Sequence, residues 1–376
     1  MALHNLNLLP YFLLPLISLL SNHIPPAQAL TAPSDISALK AFKASIKASS
    51  IPPWSCLASW DFTTDPCALP RRTHFTCGLT CSPDSTRVTQ ITLDPAAYSG
   101  TLTPLISQLT QLSTLDLSEN SFSGPIPSSI SSLSKLQSLT LRSNSFSGSL
   151  PPSITNLKSL ESLDISHNFL SGFLPNAMNS LPNLRRLDLS FNKLAGSLPK
   201  LPPNLLELAL KRNSLSGENS FSGTLQSWFF LLPSLQQVDL ANNSLTGVEI
   251  PKPAGNGGGE LVAVDLGFNR IEGYPPVNFA GYPVLSSLSL RYNRLRGRIP
   301  LEYGRKKSLK RLYLDGNFLI GQPPAGLVTG GVSGSLGDNC LQACPASSNL
   351  CLPSQKPNAI CKQAYGGRKG KGKPRS

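Results

Sequence analysis

Histidine, methionine and charge are all scarce in this chain of 376 residues: four histidines, two methionines, and 14% charged side chains. Beyond the first thirty residues only His74 and His167 remain, which leaves little for general acid–base chemistry. No G-x-S-x-G, H-E-x-x-H or strand-linked G-x-G-x-x-G occurs, and these are the local patterns that place a nucleophile, a zinc ion or a dinucleotide. Gly367 to Pro374 comes near a phosphate-binding loop but ends in proline where Ser or Thr is needed; no strand precedes it and no helix can follow. The reading is therefore not an enzyme, with no catalytic residue, cofactor or kinase region expected.

Long apolar runs are also lacking. Trp228 to Leu232 stops at Pro233, well short of the ~18–20 residues that span a bilayer. The cationic C-terminus does not fit a lipid-anchor signal. Residues 1–29 read as a signal peptide: Leu6 to Leu20 is apolar, interrupted by Pro10 and Pro15, and Ala27-Gln28-Ala29 supplies the small-x-small cleavage pattern, although the stretch before Leu6 has no Lys or Arg, only His4. Cysteine is missing from the whole middle of the chain. Cys56, Cys67, Cys77 and Cys81 lie on one side, Cys340, Cys344, Cys351 and Cys361 on the other, which in an oxidising compartment reads as two disulfide-stapled caps. Metal ligation at the two C-x3-C spacings is the rival, disfavoured by the shortage of histidine.

What is abundant is leucine: 65 residues, about 17% and well above ordinary usage. A string L-x-x-L-x-L-x-x-N-x-[LF]-x-G begins with Leu112, Leu115, Leu117, Asn120, Phe122 and Gly124. Its asparagine returns at Asn144, Asn168 and Asn192, then at Asn243, Asn269, Asn293 and Asn317, with Ala96 one period before Asn120. Alternation of Leu115 and Leu117 with Asp116 and Ser118 predicts a short strand with leucines inward and polar residues on a concave face. An asparagine buried at each turn can satisfy backbone groups of its own and the neighbouring coil. Gly124 permits a bend, and Ile126-Pro127 and its equivalents start a second extended stretch.

On these residues the chain resembles plant leucine-rich-repeat proteins of the extracellular type, over about Val88 to Gly321. The resemblance implies an α/β solenoid, a superhelix of the plant-specific kind with about 9–10 coils between disulfide-stapled caps. The segment before it looks like the plant N-terminal cap: Asp35, Ile36, Leu39, Phe42 and Ile46 mark an amphipathic helix capped by Ser34 or Asp35, followed by Leu57 to Trp60, Asp65-Pro66-Cys67 and Phe75-Thr76-Cys77. The cap pattern implies a Cys67–Cys77 bridge and leaves Cys56 to pair with Cys81. Expected boundaries are 1–29 signal peptide, 30–87 cap, 88–321 solenoid, 322–365 cysteine-containing C-terminal cap and 366–376 basic flexible tail.

Two irregularities interrupt the period. Asn213 and Asn219 stand six residues apart and cannot both close coils. Leu205, Leu208 and Leu210 put Asn213 in strand register, so the expectation is one oversized coil from Leu205 to Ser234, with Asn213 in the ladder and Asn219 outside it. About eighteen residues of a regular coil would then be absent. Gly255 to Gly259, beside Pro251 and Pro253, reads as an excursion.

Candidate contact residues follow from the repeat. Outward positions hold Arg186, Phe191, Phe268, Arg291, Tyr292, Arg311 and Tyr313, and aromatics and arginine dominate most interface energies. The Asp column Asp116, Asp164, Asp188, Asp239 and Asp265 reads as a solvated strand position rather than a catalytic or calcium site. Residues 291–376 carry 16 basic and 3 acidic side chains, so the net charge of +13 resides at that end. Arg294, Arg296, Arg298, Arg305, Lys306 and Lys307 are candidates for binding a polyanion; secretion points to acidic wall polysaccharide rather than nucleic acid. Asn242 begins the one glycosylation sequon. The expected function is recognition of a protein or peptide on the concave face, in plant defence or development, at the apoplast or cell wall, with a membrane receptor kinase among the possible partners. The alternatives are inhibition of polygalacturonases and a wall-tethered structural role.

Overall fold

The computed structural model describes residues 31–60, 62–67, 78–215, 223–253, 259–345 and 347–366. The signal-peptide reading, Cys77, Asn219, most of the Gly255–Gly259 excursion and nearly all of the basic tail lie outside them.

A three-residue strand has too few hydrogen bonds to persist alone, so each coil depends on its neighbours. The strands Thr114–Asp116, Ser138–Thr140, Ser162–Asp164, Arg186–Asp188, Glu207–Ala209, Gln237–Asp239, Ala263–Asp265, Ser287–Ser289, Arg311–Tyr313 and Ser333–Ser335 follow Gly78–Cys81 and Val88–Thr92 in one twelve-stranded sheet. Pairing is antiparallel at the first step and parallel afterwards. The middle residue of each strand points into the core in register: Leu115, Leu139, Leu163, Leu187, Leu208, Val238, Val264, Leu288 and Leu312 are all nearly or fully buried. On the convex side most coils return through short 3-10 turns such as Ser128–Ser132 and Pro152–Asn156, and two through short α-helices, Leu301–Arg305 and Ala325–Val328.

The asparagine ladder holds the turns. Asn144 Nδ2 donates to the carbonyl of Leu117 in the preceding coil at 2.8 Å and to Leu141 and Arg142 in its own coil at 3.2 Å, while its Oδ1 accepts from the Phe122 amide at 2.9 Å. One side chain thus satisfies backbone groups that would otherwise be buried without partners. Asn213 makes the same set of bonds, as its register requires, and Leu208 pairs with Val238, thirty residues on. The ladder also runs one coil further than the sequence reading placed it. Asn339 donates to Leu314, Leu336 and Gly337 carbonyls and accepts from the Leu319 amide, so a last coil lies inside the segment expected to be purely cap. That coil has Gly334 opposite Leu312, where a Cβ would collide with the Leu312 carbonyl.

A second, lateral sheet forms from the residues between each ladder asparagine and its glycine, ahead of the Ile-Pro pair rather than after it as expected: the residues that follow the proline, as in Ser128–Ser132, make the 3-10 turns. Ser99–Thr101, Ser121–Gly124, Ser145–Gly148, Phe169–Gly172, Lys193–Gly196 and Ser214–Leu215 make six continuous strands. Among the described residues this sheet then breaks: Thr224–Leu225 pairs with Gly247–Val248, and Glu272–Gly273, Arg294–Gly297, Phe318–Gly321 and Cys340–Leu341 form a separate group of four.

Both ends are covered. Helix Pro33–Ala44 buries Ala38, Leu39 and Phe42, and Phe42 stacks on Phe122 at 6.0 Å, which stacks on Phe146 at 6.3 Å. The expected side-chain cap is absent. Ala32 occupies the N-cap position, Pro33 starts the helix, and fully buried Asp35 instead pairs with Arg87 at 3.0 Å and accepts from the Val88 amide at 2.8 Å, tying cap to first coil. Gly100 allows the close approach of Ser45 and Ile46 that closes the lateral edge, since a Cβ there would meet the Ser45 carbonyl.

The disulfide pairing inferred for the N-terminal cap needs correction. Cys67 bonds Cys81, with Cα atoms 5.8 Å apart, not Cys77. The turn back from Gly78–Cys81 into the Val88–Thr92 strand points Cys81 inward against Cys67, which Asp65 Oδ1 holds through its amide at 2.9 Å. Cys56 is also disulfide-bonded. In the C-terminal cap Cys340 pairs with Cys361 and Cys344 with Cys351, and there is no free cysteine among the described residues.

Candidate binding surface

The concave face is built from the outward residues of the three-residue strands and from the two residues before each ladder asparagine. In most coils the residue immediately before that asparagine has a left-handed backbone: His167, Phe191, Arg212, Asn242, Phe268 and Tyr292 all have φ between 49° and 56°. Stacking the coils aligns these side chains along one edge of the sheet. His167 lies on Phe191 with centroids 3.9 Å apart, Arg212 covers Phe191 at 5.3 Å, and Phe268 stacks on Tyr292 at 4.7 Å.

Of the seven concave candidates, the fold unites four. The Arg291 guanidinium sits 5.6 Å from the Phe268 and Tyr292 centroids and 5.2 Å from that of Tyr313, and its Nη2 donates to Asp315 Oδ2 at 2.9 Å. Asp315 is almost wholly buried, so the pair sits where charges interact strongly. Arg311 is exposed on the same strand as Tyr313. Arg186 and Phe191 belong to a separate group, Phe191 three coils and about 15 Å from Phe268 at the usual strand spacing. Arg186 reaches Glu207 at 3.4 Å on the surface, a weak pair. Asn242 is half-buried within the left-handed row, between Arg212 and Phe268 in coil order.

The Asp column caps turns. Asp116, Asp164, Asp188, Asp239 and Asp265 each accept through Oδ1 from the amide two residues on, at 2.8–3.1 Å. Burial pushes the carboxyl pKa values of Asp188 and Asp239 above the usual range against these hydrogen bonds, and in Asp239 the neighbouring Asp265 charge adds to the rise. A depression of about 310 Å³ opens on the concave face between Glu207, Asp239 and Asp265 on one side and Ser289, Arg291 and Tyr313 on the other. The sequence reading took Asp239 and Asp265 as solvated positions and left Ser289 and Asp315 out of the site. Column alignment carries the missed signal: Ser289 stands where five coils have Asp, and Asp315 where the other coils from Ser118 to Arg291 have Ser, Arg, Lys, Ala or Gly.

The six cationic candidates lie elsewhere. Arg294 and Arg296 are on the lateral strand Arg294–Gly297, Arg298 follows it, and Arg305, Lys306 and Lys307 close the convex helix. Arg294 pairs with Glu272 at 3.1 Å. Lys306 donates to the Tyr282 carbonyl, and partial burial lowers its pKa. Arg296, Arg298, Arg305 and Lys307 remain exposed. Among the described residues no three metal-ligating side chains gather, and no helix is long and apolar enough to cross a membrane.

Leucine-rich-repeat profiles match residues 111–133, 135–157 and 148–194. No curated protein matches the sequence. Among solved structures, the Arabidopsis receptor kinase HAESA, in complex with the peptide hormone IDA and the co-receptor SERK1, is 26% identical with a TM-score of 0.66, covering 82% of this chain and 50% of that one. The plant peptide hormone receptor RGFR1, in complex with RGF2, is 32% identical with a TM-score of 0.54, covering 67% of this chain and 43% of that one. A plant ice-binding protein is 25% identical with a TM-score of 0.64, covering 85% of this chain and 99% of that one. The chain thus spans about half the length of these two receptor chains.

Proposed function

We propose that this leucine-rich-repeat protein of the plant extracellular type binds a peptide along its concave face, as the ligand-recognition part of a signalling pair. The observation that carries the reading is Arg291, clasped by Phe268, Tyr292 and Tyr313 and fixed by buried Asp315. A cation held this way loses little freedom on binding, and exposed rings beside it supply area at low entropic cost. The peptide-bound state of the two receptor structures supports the class of ligand. A membrane receptor kinase is the proposed partner, the apoplast the proposed location, and defence or development the proposed context. The exposed cations Arg296, Arg298, Arg305 and Lys307, off the concave face, leave it free while contacting acidic wall polymer. To test the reading, secreted peptides are passed over immobilised protein and eluted species identified by mass spectrometry, beside a Phe268→Ala/Tyr313→Ala variant. Peptides retained by the native chain and lost from the variant support it; identical retention refutes it.

A second reading rests on the lateral sheet. Ser99 stands opposite Ser121 there, and Thr101, Ser123 and Ser145 form one column on parallel strands in register. A hydroxyl column at strand spacing is a surface that can order water, and the ice-binding protein is matched over nearly its whole length. Inhibition of ice recrystallisation by the purified chain, abolished in Ser123→Lys/Ser145→Lys, is the discriminating assay.

A further inference from the structure

Polar atoms without partners lie in the concave depression, on Ser289 and Arg291, and on Asp315, the ion-pair partner of Arg291. Ser289 Oγ, Arg291 Nε and Asp315 Oδ1 are buried and make no hydrogen bond among the described residues. Such groups cost stability unless something satisfies them. Ser289 is 94% buried by its 6% exposure and lines the depression, as does Arg291. Gly267 leaves a notch beside them. The position its Cβ would take is 3.0 Å from Asp265 Oδ1, 3.2 Å from Ser289 Oγ and 2.8 Å from Arg291 Cγ, so an acceptor and a hydroxyl face the same gap.

The charge balance of this hollow is opposite to that of the surrounding C-terminal half. Arg291 is neutralised by Asp315. Against it stand Glu207, Asp239 and Asp265. Glu207 is drawn to Arg186, Asp239 reaches Lys211 only at 3.8 Å, and Asp265 has no ion pair among the described residues. Asp239 and Asp265 are opposite each other in register on adjacent strands. Two carboxylates so placed repel, and a cation between them removes that cost.

We propose that this hollow is the subsite for a basic side chain of the peptide ligand, with its guanidinium or ammonium donating to Asp265, Asp239 and Ser289. A main-chain carbonyl of the same peptide then accepts from Arg291 Nε. The proposal rests on the peptide-binding reading and specifies its chemistry: a ligand anchored by Arg or Lys, recognised by a chain that is itself strongly cationic. Nonspecific attraction would select acidic peptides instead.

The test is an array of degenerate heptapeptides carrying arginine, citrulline or glutamate at each position in turn, probed with the full chain and with Asp265→Asn. The asparagine keeps an oxygen for the Gly267 amide, so the turn survives. Arginine peptides are expected to be retained about tenfold better than their citrulline counterparts, as for one close charge pair, and the difference should collapse in Asp265→Asn. Ser289→Ala should weaken arginine peptides while leaving the folded spectrum unchanged. Equal retention of arginine and citrulline peptides means the unpartnered atoms serve only a bound water, and overturns the proposal while leaving peptide binding intact. Retention of no peptide by the folded chain removes both readings.

Discussion

The solenoid before Asn213 and the solenoid after it obey different constraints. In the first part Leu115, Leu139, Leu163 and Leu187 follow one another at an unvarying 24 residues, and both sheets run without a gap. In the second, Leu208 precedes Val238 by thirty residues and Val238 precedes Val264 by 26, and among the described residues the lateral sheet is broken while the concave sheet is not. Register is therefore held by the inward leucine and the ladder asparagine, and changes in coil length are absorbed on the other sides. The regular part carries serine on its lateral face and the His167–Phe191 stack on its concave edge; the irregular part carries Phe268, Tyr292 and Tyr313 around the clasped arginine, beside the acidic hollow.

Removing one partner of the buried pair should have the largest effect. Arg291→Ala leaves Asp315 charged and unpaired, and is expected to cost about 3–5 kcal/mol in urea unfolding monitored across the C-terminal coils. Next comes the ladder. Asn168→Leu leaves the Phe146 amide and Leu141 carbonyl without partners and should cost about 2–4 kcal/mol, whereas Asn213→Leu, at a half-buried position, should cost about half as much. Equal costs would mean that the ladder is no weaker where the coil length changes. Hydrogen exchange offers a finer comparison: the Leu215 and Thr224 amides, at the break in the lateral sheet, should exchange faster than those of Leu208 and Val238.

The smallest effect concerns pH. Because burial raises the folded-state pKa values of Asp188 and Asp239, protonation favours the folded form. Their contribution is most favourable below the unfolded value near 3.8 and is lost as pH rises through the raised values. Asp188→Asn, which keeps an acceptor for Ser190, should therefore stabilise the chain by roughly 0.5 kcal/mol at pH 7 and by nothing at pH 3. A variant less stable at pH 7 would show that the charge strengthens the turn more than desolvation opposes it.

Periodicity made the leucine core, the ladder through Asn317 and the place of Asn213 legible, because each depends on a side chain recurring in fixed register. The last coil was hidden because Gly334 replaces the leucine that marks a strand. The Cys67–Cys81 bridge was hidden because it depends on how a strand turns back, not on the order of cysteines along the chain. The cluster at Arg291 was half legible: composition pointed to the rings and the arginine, but only stacking of the coils shows that Asp315 lies beneath them. Arg186 and Phe191 look equivalent to that cluster in sequence and are separated from it by the width of three coils.

The left-handed residue ahead of each ladder asparagine sets the terms on which this surface can be altered. Glycine adopts that backbone freely, while other residues meet a steric cost of roughly 1–2 kcal/mol. Yet glycine fills the position at Gly316, and His167, Phe191, Phe268 and Tyr292 hold it elsewhere. Substituting glycine for any of these rings would relax the backbone and erase a contact in the same step. Thermostability gained along this edge should therefore come at the expense of recognition, and a laboratory selection for heat resistance alone would be expected to bleach the row of its aromatic residues.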